Sequence, residues 1–416
     1  MATNPVLYDN KVNHPSMGTC SVMRGEKTTS VENFSTENLP TWLAPHTDLP
    51  VGIGIGIRPK ETIPSTDRYA HYKERVNSLI DEYTSGETVP TVYRDLVRYS
   101  LSDGKRVRAV IALSMIDHFF GMYGCREGTP VSGDGEVANI VIDRKTRTAI
   151  EMACLGVEIL HAASLIIDDL PCMDNAATRR GKPTMHCRYG EAAAILTAGH
   201  LMTSCVSLYT TAYLHLQMLG IGCAENVLSL CGKISEYMGF NGACGGQLMD
   251  LGRARVGMDD FSSHPRNEPG QIGIGGEGGG GGELERDTKE LMSKKTSSFF
   301  RVAFLTGIMM MKNEPILKEH ENILIKVSEF TGLAFQIYDD FEDILEDGNK
   351  HNYVSAMGVE EAYSKFQYVT SKSKTLLQMI DLYPNVYGDI VEFMDSGIIL
   401  KMRDLRPNQL LQVSWK

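Results

Sequence analysis

Apolar residues recur three and four positions apart through the middle of the chain, which is the period of an α-helix. The pattern is clearest over 146–168 and 327–345, and the surrounding segments are rich in helix-favouring Leu, Ala, Met, Ile, Glu and Lys. Strand-like alternation bounded by tight turns is almost absent. The pattern therefore predicts an all-α protein.

Several regions lack this periodicity. Residues 1–66 are rich in Thr, Ser, Asn, Pro and Gly, and we interpret them as a disordered or loosely packed tail before a domain over 67–416. Residues 258–283 contain the run GEGGGGG, which we interpret as a flexible insertion between two helices. Residues 129–143 are interpreted as a surface loop. The glycines of VGIGIGI at 51–57 are wrongly spaced for a dinucleotide loop.

Composition narrows the class of protein. The 416 residues are 42% hydrophobic, enough to bury one large core or two ordinary ones. The net charge of -11 argues against a protein that coats nucleic acid. Nine cysteines without a CxxC pair suit reduced thiols better than a disulfide framework or a zinc site.

The chain has no window of about 18 uninterrupted apolar residues, so we expect no transmembrane segment. The N-terminal region lacks a basic stretch followed by an apolar core, and its acidic residues are atypical of a transit peptide. We therefore expect a cytoplasmic protein, with organelle targeting left open.

Two clusters of aspartates interrupt apolar helices, in SLIIDDLPCMDN and FQIYDDFEDI. On a helix, Asp339 and Asp343 share a face, while Asp340 lies about 100 degrees round. In the first cluster Pro171 and Cys172 lengthen the spacing, so the helix must bulge or end there to bring the last aspartate beside the first. The six members are Asp168, Asp169, Asp174, Asp339, Asp340 and Asp343.

Clustered carboxylates repel one another, and shared divalent cations relieve that repulsion. Magnesium prefers oxygen ligands and usually binds through one or two carboxylates plus substrate phosphates. A solvated acidic helix face would explain one cluster, but two clusters after apolar runs favour a metal site. Local basic residues in this acidic chain indicate phosphate, because arginine pairs with it bidentately and lysine supplies a point charge. They are Lys105, Arg106, Arg108, Arg179, Arg180 and Lys295.

In combination, these motifs resemble those of the trans-prenyl diphosphate synthases, specifically the geranylgeranyl and farnesyl diphosphate synthase group, over roughly 69–361. The family's DDxxxxD matches the first aspartate cluster and its DDxxD matches the second. The resemblance implies an isoprenoid-synthase-type bundle of roughly ten or more core helices around a deep cavity, with the clusters facing each other at its mouth. It also implies a homodimer and three Mg²⁺ ions per active site when substrate is bound.

The resemblance implies that isopentenyl diphosphate is held by Lys105, Arg108, His161 and Arg180. Taken by itself, His161 is more typical of a core histidine on an apolar helix. Its place seven residues before Asp168 gives it the substrate-binding role.

The second substrate implied is an allylic diphosphate, held by Arg179, Lys295 and the magnesium ions, with Thr296, Gln247 and Gln336 near that pocket. The implied reaction is ionisation, condensation and elimination, which depends on electrostatics and alignment rather than on a nucleophilic side chain. The residues expected to carry it are Asp168, Asp169, Arg179, Lys295 and Asp339.

Product length is expected to depend on residues below the first cluster. Family members that stop at farnesyl commonly place an aromatic five residues before the first aspartate. Here that position is Ala163, followed by Ser164. The small residues, together with the inserted Pro171 and Cys172, predict a geranylgeranyl or longer product.

The chain departs from the family's motifs at several positions, yet it keeps all six aspartates. Because all six aspartates are kept, we expect an active enzyme, and the departures predict that it is slow. They are Asp103 for Gly and Ala109 for Pro in GGKRxRP, Ile167 for His, Ala176 and Ala177 for an acidic pair, Ser297 for the glycine of the Lys-Thr-Gly segment, and a shortened segment after the second motif in which Lys350 stands in for the family's lysine.

Three other functions are compatible with parts of this pattern. A weakly active or non-catalytic regulatory subunit of a heteromeric synthase would share the fold, although such subunits typically lose aspartates. A terpene cyclase would share the ionisation chemistry but lack the isopentenyl site indicated by Lys105, Arg108 and His161. A helical scaffold protein would leave the paired acidic and basic clusters unexplained.

Overall fold

The structure is a computed structural model, and all the residues it describes belong to one compact unit, Thr47–Lys416. The predicted tail over 1–66 and the glycine-rich insertion over 258–283 lie outside the described residues, as does most of the predicted loop over 129–143. The predicted domain boundaries therefore stay a prediction. The described residues are 68–86, 89–122, 126–127, 141–251, 293–310, 315–344, 353–383 and 385–412.

The described residues form fourteen α-helices, which confirms the predicted all-α class. The first seven are α1 (Arg68–Ser85), α2 (Arg94–Ser100), α3 (Val107–Met122), α4 (Arg144–Glu151), α5 (Leu155–Asp168), α6 (Met185–Tyr189) and α7 (Glu191–Met218). The others are α8 (Ala224–Met238), α9 (Ala243–Asp250), α10 (Ser298–Met309), α11 (Pro315–Asp343), α12 (Tyr353–Met357), α13 (Val359–Gln378) and α14 (Val386–Gln412).

Shorter elements join these helices. A π-helical turn at Ser293–Ser297 runs directly into α10, and single 3₁₀ turns occupy Thr91–Tyr93 and Met152–Cys154. Two minimal sheets are present in the described part of the chain. Their strands are β1 (Arg126–Glu127), parallel to β2 (Val141–Ile142), and β3 (Thr178–Arg179), antiparallel to β4 (Lys182–Pro183).

Helix α10 lies at the centre of the bundle, where it packs against α3, α8 and α11. Eleven of its twelve residues are buried, because aromatic and aliphatic side chains occupy every face rather than one stripe. Helix α5 packs chiefly against α7, and it also contacts α3 and α10. The core therefore holds together the two helices, α5 and α11, that carry the aspartate clusters.

The apolar stretch predicted over 146–168 is divided into α4, a 3₁₀ turn and α5. Asp143 begins it as an N-cap, where its carboxylate accepts a hydrogen bond from the Thr146 amide at 3.0 Å. Near the start of α5, Gly156 lies against the Tyr209 ring, and a Cβ at this glycine would come within 2.5 Å of it. The glycine thus lets α5 and α7 approach closely.

Two described helical segments are long and apolar enough to cross a membrane by length and composition alone. They are Arg144–Asp168, 67% of whose apolar window is buried inside the protein, and Glu191–Met218, 39% buried. The first has the burial of a core helix. Helix α7 leaves Ile195, Leu196 and Val206 exposed on its outer face. The expectation of no transmembrane segment therefore remains a prediction.

Replacement of Gly307 with alanine should destabilise the protein, because a Cβ there would lie 2.6 Å from the backbone carbon of Met115, where α10 crosses α3. We expect a loss of about 1–3 kcal/mol, typical of overpacking in a core. The measurement is the midpoint of urea unfolding, followed by circular dichroism.

The matched control is Gly232→Ala on α8, where an added Cβ meets no atom within 4 Å. This variant should be unchanged or more stable by up to about 1 kcal/mol, because alanine favours helix. Equal midpoints for the two variants would show that the α3–α10 contact tolerates a side chain.

Candidate active site

The first aspartate cluster forms a tight turn at the end of α5, as its spacing predicts. The helix ends at Asp168, and the amide of Asp174 donates to the Asp168 carbonyl at 2.9 Å. Asn175 follows in the left-handed region with φ 51, which asparagine adopts more readily than most residues. The turn brings the last aspartate back beside the first.

Asp169 is the buried member of the first cluster, with 4% of its surface exposed. Arg179, on strand β3, binds it with a fork of hydrogen bonds, Nη2 to Oδ1 at 2.7 Å and Nε to Oδ2 at 3.0 Å. A bidentate pair of this kind is the geometry that guanidinium groups favour. The β3–β4 hairpin is therefore anchored to the first motif.

Asp168 lies among other carboxylates at the end of α5. The pKa of Asp168 is raised to about 6, chiefly by burial; Lys295 and Arg179 oppose the shift, whereas Asp174 and Asp169 contribute to it. The ionised form is therefore costly until a positive charge approaches. A carboxylate in this position is suited to a cation.

The second cluster occupies the last turns of α11, and Asp340 is its buried member. Its carboxylate accepts hydrogen bonds from Gln336 Nε2 and from the Tyr353 amide, both at 2.7 Å. Gln336 Oε1 in turn accepts from the Thr296 hydroxyl at 3.1 Å. This chain of hydrogen bonds fixes the end of α11 against the π-helical turn and α12, whereas Asp343 is exposed.

Asp339 is reached by Lys105, whose Nζ lies 3.3 Å from its Oδ1 and 3.0 Å from Glu342 Oε2. The ammonium group also lies 4.2 Å from the centre of the Tyr338 ring. Desolvation by the surrounding protein raises the pKa of Asp339, while the positive charges of Lys105 and Arg108 act to lower it. Even so, 41% of the Asp339 side chain is exposed. Asp339 is thus surrounded by protein on one side and still reached by solvent on the other.

Arg108 on α3 and His161 on α5 lie side by side. Arg108 Nη1 lies 3.4 Å from His161 Nε2, and its guanidinium carbon lies 4.8 Å from the centre of the Phe300 ring. Burial lowers the pKa of His161 well below its usual range, and Arg108 adds to the shift. His161 is therefore neutral and accepts from Arg108, while burial also lowers the pKa of Arg108.

The same basic residues connect the two motifs. Arg108 contacts His161 on α5 and acts electrostatically on Asp339 of α11. Lys295 acts in the same way on Asp168, and the neighbouring Thr296 contacts α11. Both motifs therefore border the region occupied by α3 and the π-helical turn, which favours the predicted convergence.

The π-helical turn holds Lys295 and Thr296, and π-helical segments are frequent at functional sites. It is pressed between α9 and α11 at two glycines. A Cβ on Gly246 would lie 2.7 Å from the Lys295 amide nitrogen, and one on Gly332 would lie 2.2 Å from Ser297 Oγ. Gly332 thus accommodates the serine that replaces the family's glycine.

Both side-chain polar atoms of Gln247 are buried and have no hydrogen-bond partner among the described residues. The same is true of the Nε atom of Arg108. An unsatisfied buried polar group costs about 1–3 kcal/mol. Both residues are predicted substrate contacts. Orphaned donors and acceptors at these positions fit a polar ligand.

A cavity of about 70 Å³ lies beneath the β3–β4 hairpin, and Asp169, Arg179 and Arg180 line it together with Ala162 and Ile166. Residues of the second motif do not line this cavity. The predicted deep cavity between the motifs stays a prediction.

The two predicted chain-length residues have different surroundings. Ala163 is completely buried in the core. Ser164 is half-buried and donates a hydrogen bond from its hydroxyl to the His161 carbonyl at 2.9 Å. A larger side chain at position 163 would have to displace its neighbours, whereas the half-buried position 164 is partly exposed to solvent.

Within the described ranges, no group of three or more His, Cys, Asp or Glu side chains is arranged to hold a metal ion by itself. Magnesium does not require such a group, because it is usually held by one or two carboxylates plus substrate phosphates. The raised pKa of Asp168 beside two other carboxylates, and the orphaned amide of Gln247, fit a site completed by a cation and a diphosphate.

Two acidic residues of the site were not predicted from the sequence. Glu342 contacts Lys105, and buried Glu158 pairs with Arg106 at 2.8 Å. Glu158 is the only charged residue of the apolar run 152–167, a signal that could have identified it. Arg106 therefore belongs to an internal ion pair rather than to a free cationic surface.

The chain was compared with known proteins by sequence. A family model described as Polyprenyl synthetase matches residues 90–359. Geranylgeranyl pyrophosphate synthase 3, chloroplastic, from Arabidopsis thaliana is 28% identical over 274 residues, 65% of this chain and 60% of that protein. Farnesyl diphosphate synthase from Bacillus subtilis (strain 168) is 24% identical over 343 residues, 79% of this chain and 97% of the relative. The match thus spans about 60% of the length of the Arabidopsis relatives.

Solved structures show the same fold. The geranyltransferase from Legionella pneumophila superposes with a TM-score of 0.56 at 20% identity, covering 80% of this chain and 96% of that one. The geranyltransferase from Helicobacter pylori gives a TM-score of 0.54 at 23% identity, with coverages of 81% and 99%. The family model covers well over half of the chain and includes both aspartate motifs, and the chain belongs to the polyprenyl synthetase family.

Proposed function

We propose that this protein is a prenyltransferase that condenses isopentenyl diphosphate with an allylic diphosphate: dimethylallyl, geranyl or farnesyl diphosphate. The observation that carries the proposal is the pairing at both motifs of an aspartate with a basic residue suited to phosphate. Arg179 contacts Asp169 and Lys105 contacts Asp339. The family membership supports the same reaction.

In the proposed mechanism, Arg179 and Lys295 bind the allylic diphosphate and stabilise the negative charge that grows on it as its carbon–oxygen bond breaks. Lys105, Arg108 and Arg180 bind isopentenyl diphosphate, with neutral His161 beside them, and align its double bond with the allylic carbon. The departing diphosphate accepts the final proton. No side chain is assigned as a general base.

The residues that would hold Mg²⁺ are Asp168, Asp169 and Asp174 of the first motif, with Asp339 and Asp343 of the second. Bound Mg²⁺ would supply electrophilic stabilisation of the diphosphate leaving group. Asp340 is already satisfied by two internal hydrogen bonds, so we assign it to holding the end of α11 as well as to the metal site.

We further propose geranylgeranyl diphosphate as the product, because small residues occupy positions 163 and 164. The relatives include both geranylgeranyl and farnesyl diphosphate synthases, so the family alone leaves the product open. A homodimer is the proposed assembly. The exposed apolar residues Ile195, Leu196 and Val206 on α7 support it, because exposed apolar surface is a feature of interaction sites.

The purified full chain, incubated with Mg²⁺, isopentenyl diphosphate and each allylic diphosphate in turn, should release geranylgeranyl diphosphate, identified by mass spectrometry. Asp169→Asn and Asp339→Asn should each lower kcat by at least about a hundredfold, because preorganised charge at the leaving group is lost. Glu321→Gln, at an ion pair with Lys233 on α8, is the matched control and should retain activity.

Absence of any product from the wild type with every allylic diphosphate would contradict the proposed function. Activity that arises only after mixing with a second synthase would instead identify a regulatory subunit. Products no longer than farnesyl diphosphate would contradict the proposed chain length alone.

Replacement of Ala163 with phenylalanine should shorten the product to farnesyl diphosphate, because the ring would fill the path of the growing chain below the first motif. Ala163→Leu should give an intermediate product distribution, and it is the safer variant because Ala163 is completely buried. Ala192→Phe, at an exposed position of α7, is the control and should leave the product unchanged. Unchanged products in both Ala163 variants, with activity retained, would exclude this position as a length determinant.

Activity should fall as Asp168 is protonated. The pKa of Asp168 is raised to about 6 in the metal-free protein, chiefly by burial, so protons compete with Mg²⁺ for this carboxylate and the Mg²⁺ concentration that gives half-maximal activity should rise as the pH falls below about 6. The stability of the metal-free protein should change in the opposite direction, increasing as the pH falls. Because the folded-state pKa exceeds the usual 3.8, the stabilisation from protonation is complete below pH 3.8 and is lost as the pH rises to about 6.

Both effects are tested in one series of pH measurements. Kinetics give the activity profile, and urea unfolding without Mg²⁺ gives the stability profile. Asp168→Asn should flatten the stability change between pH 3.8 and 6. An unchanged stability profile in this variant would show that another group titrates in that range.

A further inference from the structure

The hairpin that carries Arg179 and Arg180 turns through an unusual backbone. Strands β3 and β4 are joined by only Arg180 and Gly181, which have φ values of 54 and 73. Positive φ at both central residues is the geometry of a type I′ turn. Glycine adopts it freely, but an arginine in the left-handed region is disfavoured and needs support from its surroundings.

That support comes from Asp103, in the loop between α2 and α3. Arg180 Nη1 donates to the Asp103 backbone carbonyl at 2.9 Å. The carboxylate of Asp103 forms an ion pair with Lys182 Nζ, on the other side of the turn. One residue therefore holds the hairpin on both sides of Gly181.

The backbone of this loop is shaped for the contact. Asp103 itself has φ 60 and Gly104 has φ 139. A Cβ on Gly104 would lie 3.1 Å from Arg180 Nη1, so the guanidinium rests directly on the loop backbone. The same loop continues to Lys105, which contacts Asp339.

Arg180 is also surrounded by like charge. Burial lowers the pKa of Arg180, and the neighbouring Arg106 and Arg179 lower it further, with Glu158 and Asp103 opposing them. A guanidinium repelled by two others moves away unless it is held. The Asp103 carbonyl and the Lys182 ion pair keep it beside the other basic groups.

We propose that Asp103 is a positioning residue that, through its carbonyl and its ion pair with Lys182, holds Arg180 in the orientation that binds isopentenyl diphosphate. This inference rests on the proposed function. The position is one at which the chain departs from its family, since aspartate stands where the family has glycine. Through its ion pair with Lys182, the aspartate at this position would increase the affinity for isopentenyl diphosphate.

The expected size of the effect follows from exposure. The side chains of Lys182 and Asp103 are 49% and 54% exposed, so their pair is screened by solvent. Loss of such a pair should reduce the fraction of protein with Arg180 in place, and apparent affinity falls by that fraction. We expect KM for isopentenyl diphosphate to rise by about two- to fivefold.

The sign of the change separates positioning from simple charge repulsion. Removal of the Asp103 carboxylate takes a negative charge away from a site for an anion, which by itself would lower KM. A positioning role predicts that KM rises. Asn tolerates the left-handed backbone, so Asp103→Asn keeps the carbonyl that accepts from Arg180 while weakening the contact with Lys182.

The experiment compares Asp103→Asn, Lys182→Met and the double variant with the wild type. Both single variants should raise KM for isopentenyl diphosphate by a similar factor, and the double variant should raise it no further, because both remove one interaction. Neither kcat nor the KM for the allylic diphosphate should change. Lys182→Arg should restore the wild-type KM, and Glu321→Gln, which removes a distant ion pair, should match the wild type.

Three results would overturn the inference: an unchanged or lower KM in Asp103→Asn, additive effects in the double variant, or equal rises in KM for both substrates. A fall in thermal stability without a change in KM would show that the ion pair is only structural. If the wild type makes no product, the proposed function fails, and titration of the same variants with inorganic diphosphate, followed by calorimetry, still tests the positioning of Arg180. Equal affinities for inorganic diphosphate in wild type and Asp103→Asn would then reject it.

Discussion

The structure depends on one constraint, which is that ionised groups placed against an apolar bundle must be compensated. Asp169, with 4% of its surface exposed, is compensated by Arg179 from a hairpin ten residues further along the chain. Asp340, with 7% exposed, is compensated by a glutamine and by a backbone amide of α12. Each pairing ties a separate segment, the β3–β4 hairpin or α12, to an aspartate motif, so charge compensation also fixes where those segments lie.

Close helix packing sets where those segments meet. The crossing of α10 with α3 is permitted by Gly307, and the π-helical turn is held by Gly246 on one side and Gly332 on the other. At both glycines the turn lies too close for a Cβ, so Lys295 and Ser297 pack directly against α9 and α11. Close packing at glycine therefore sets the backbone position of a residue proposed to act through its charge.

Departures from the family's motifs are absorbed locally. Ser297 is buried where the family has glycine, and the facing Gly332 leaves room for its hydroxyl. Ala176 and Ala177 replace an acidic pair, yet their carbonyls accept from Thr184 and fix the base of the hairpin. Ile167 and Ala109 pack against or within the core. Such compensations are consistent with a site that keeps its shape despite altered sequence.

The helical class, the two aspartate motifs and the end of α5 before Asp174 followed from the sequence alone, because helical periodicity and the effect of proline are local properties. Partners that are distant in sequence did not follow. Glu158 pairs with Arg106 and Glu342 with Lys105 across 52 and 237 positions, and no local pattern specifies such pairs. The contacts of Asp103 with Arg180 and Lys182 were equally hidden. The sequence by itself determined which residue types could bind diphosphate and metal. Only the tertiary structure decided which of them pair with another side chain of the protein, because that choice depends on distances set by packing.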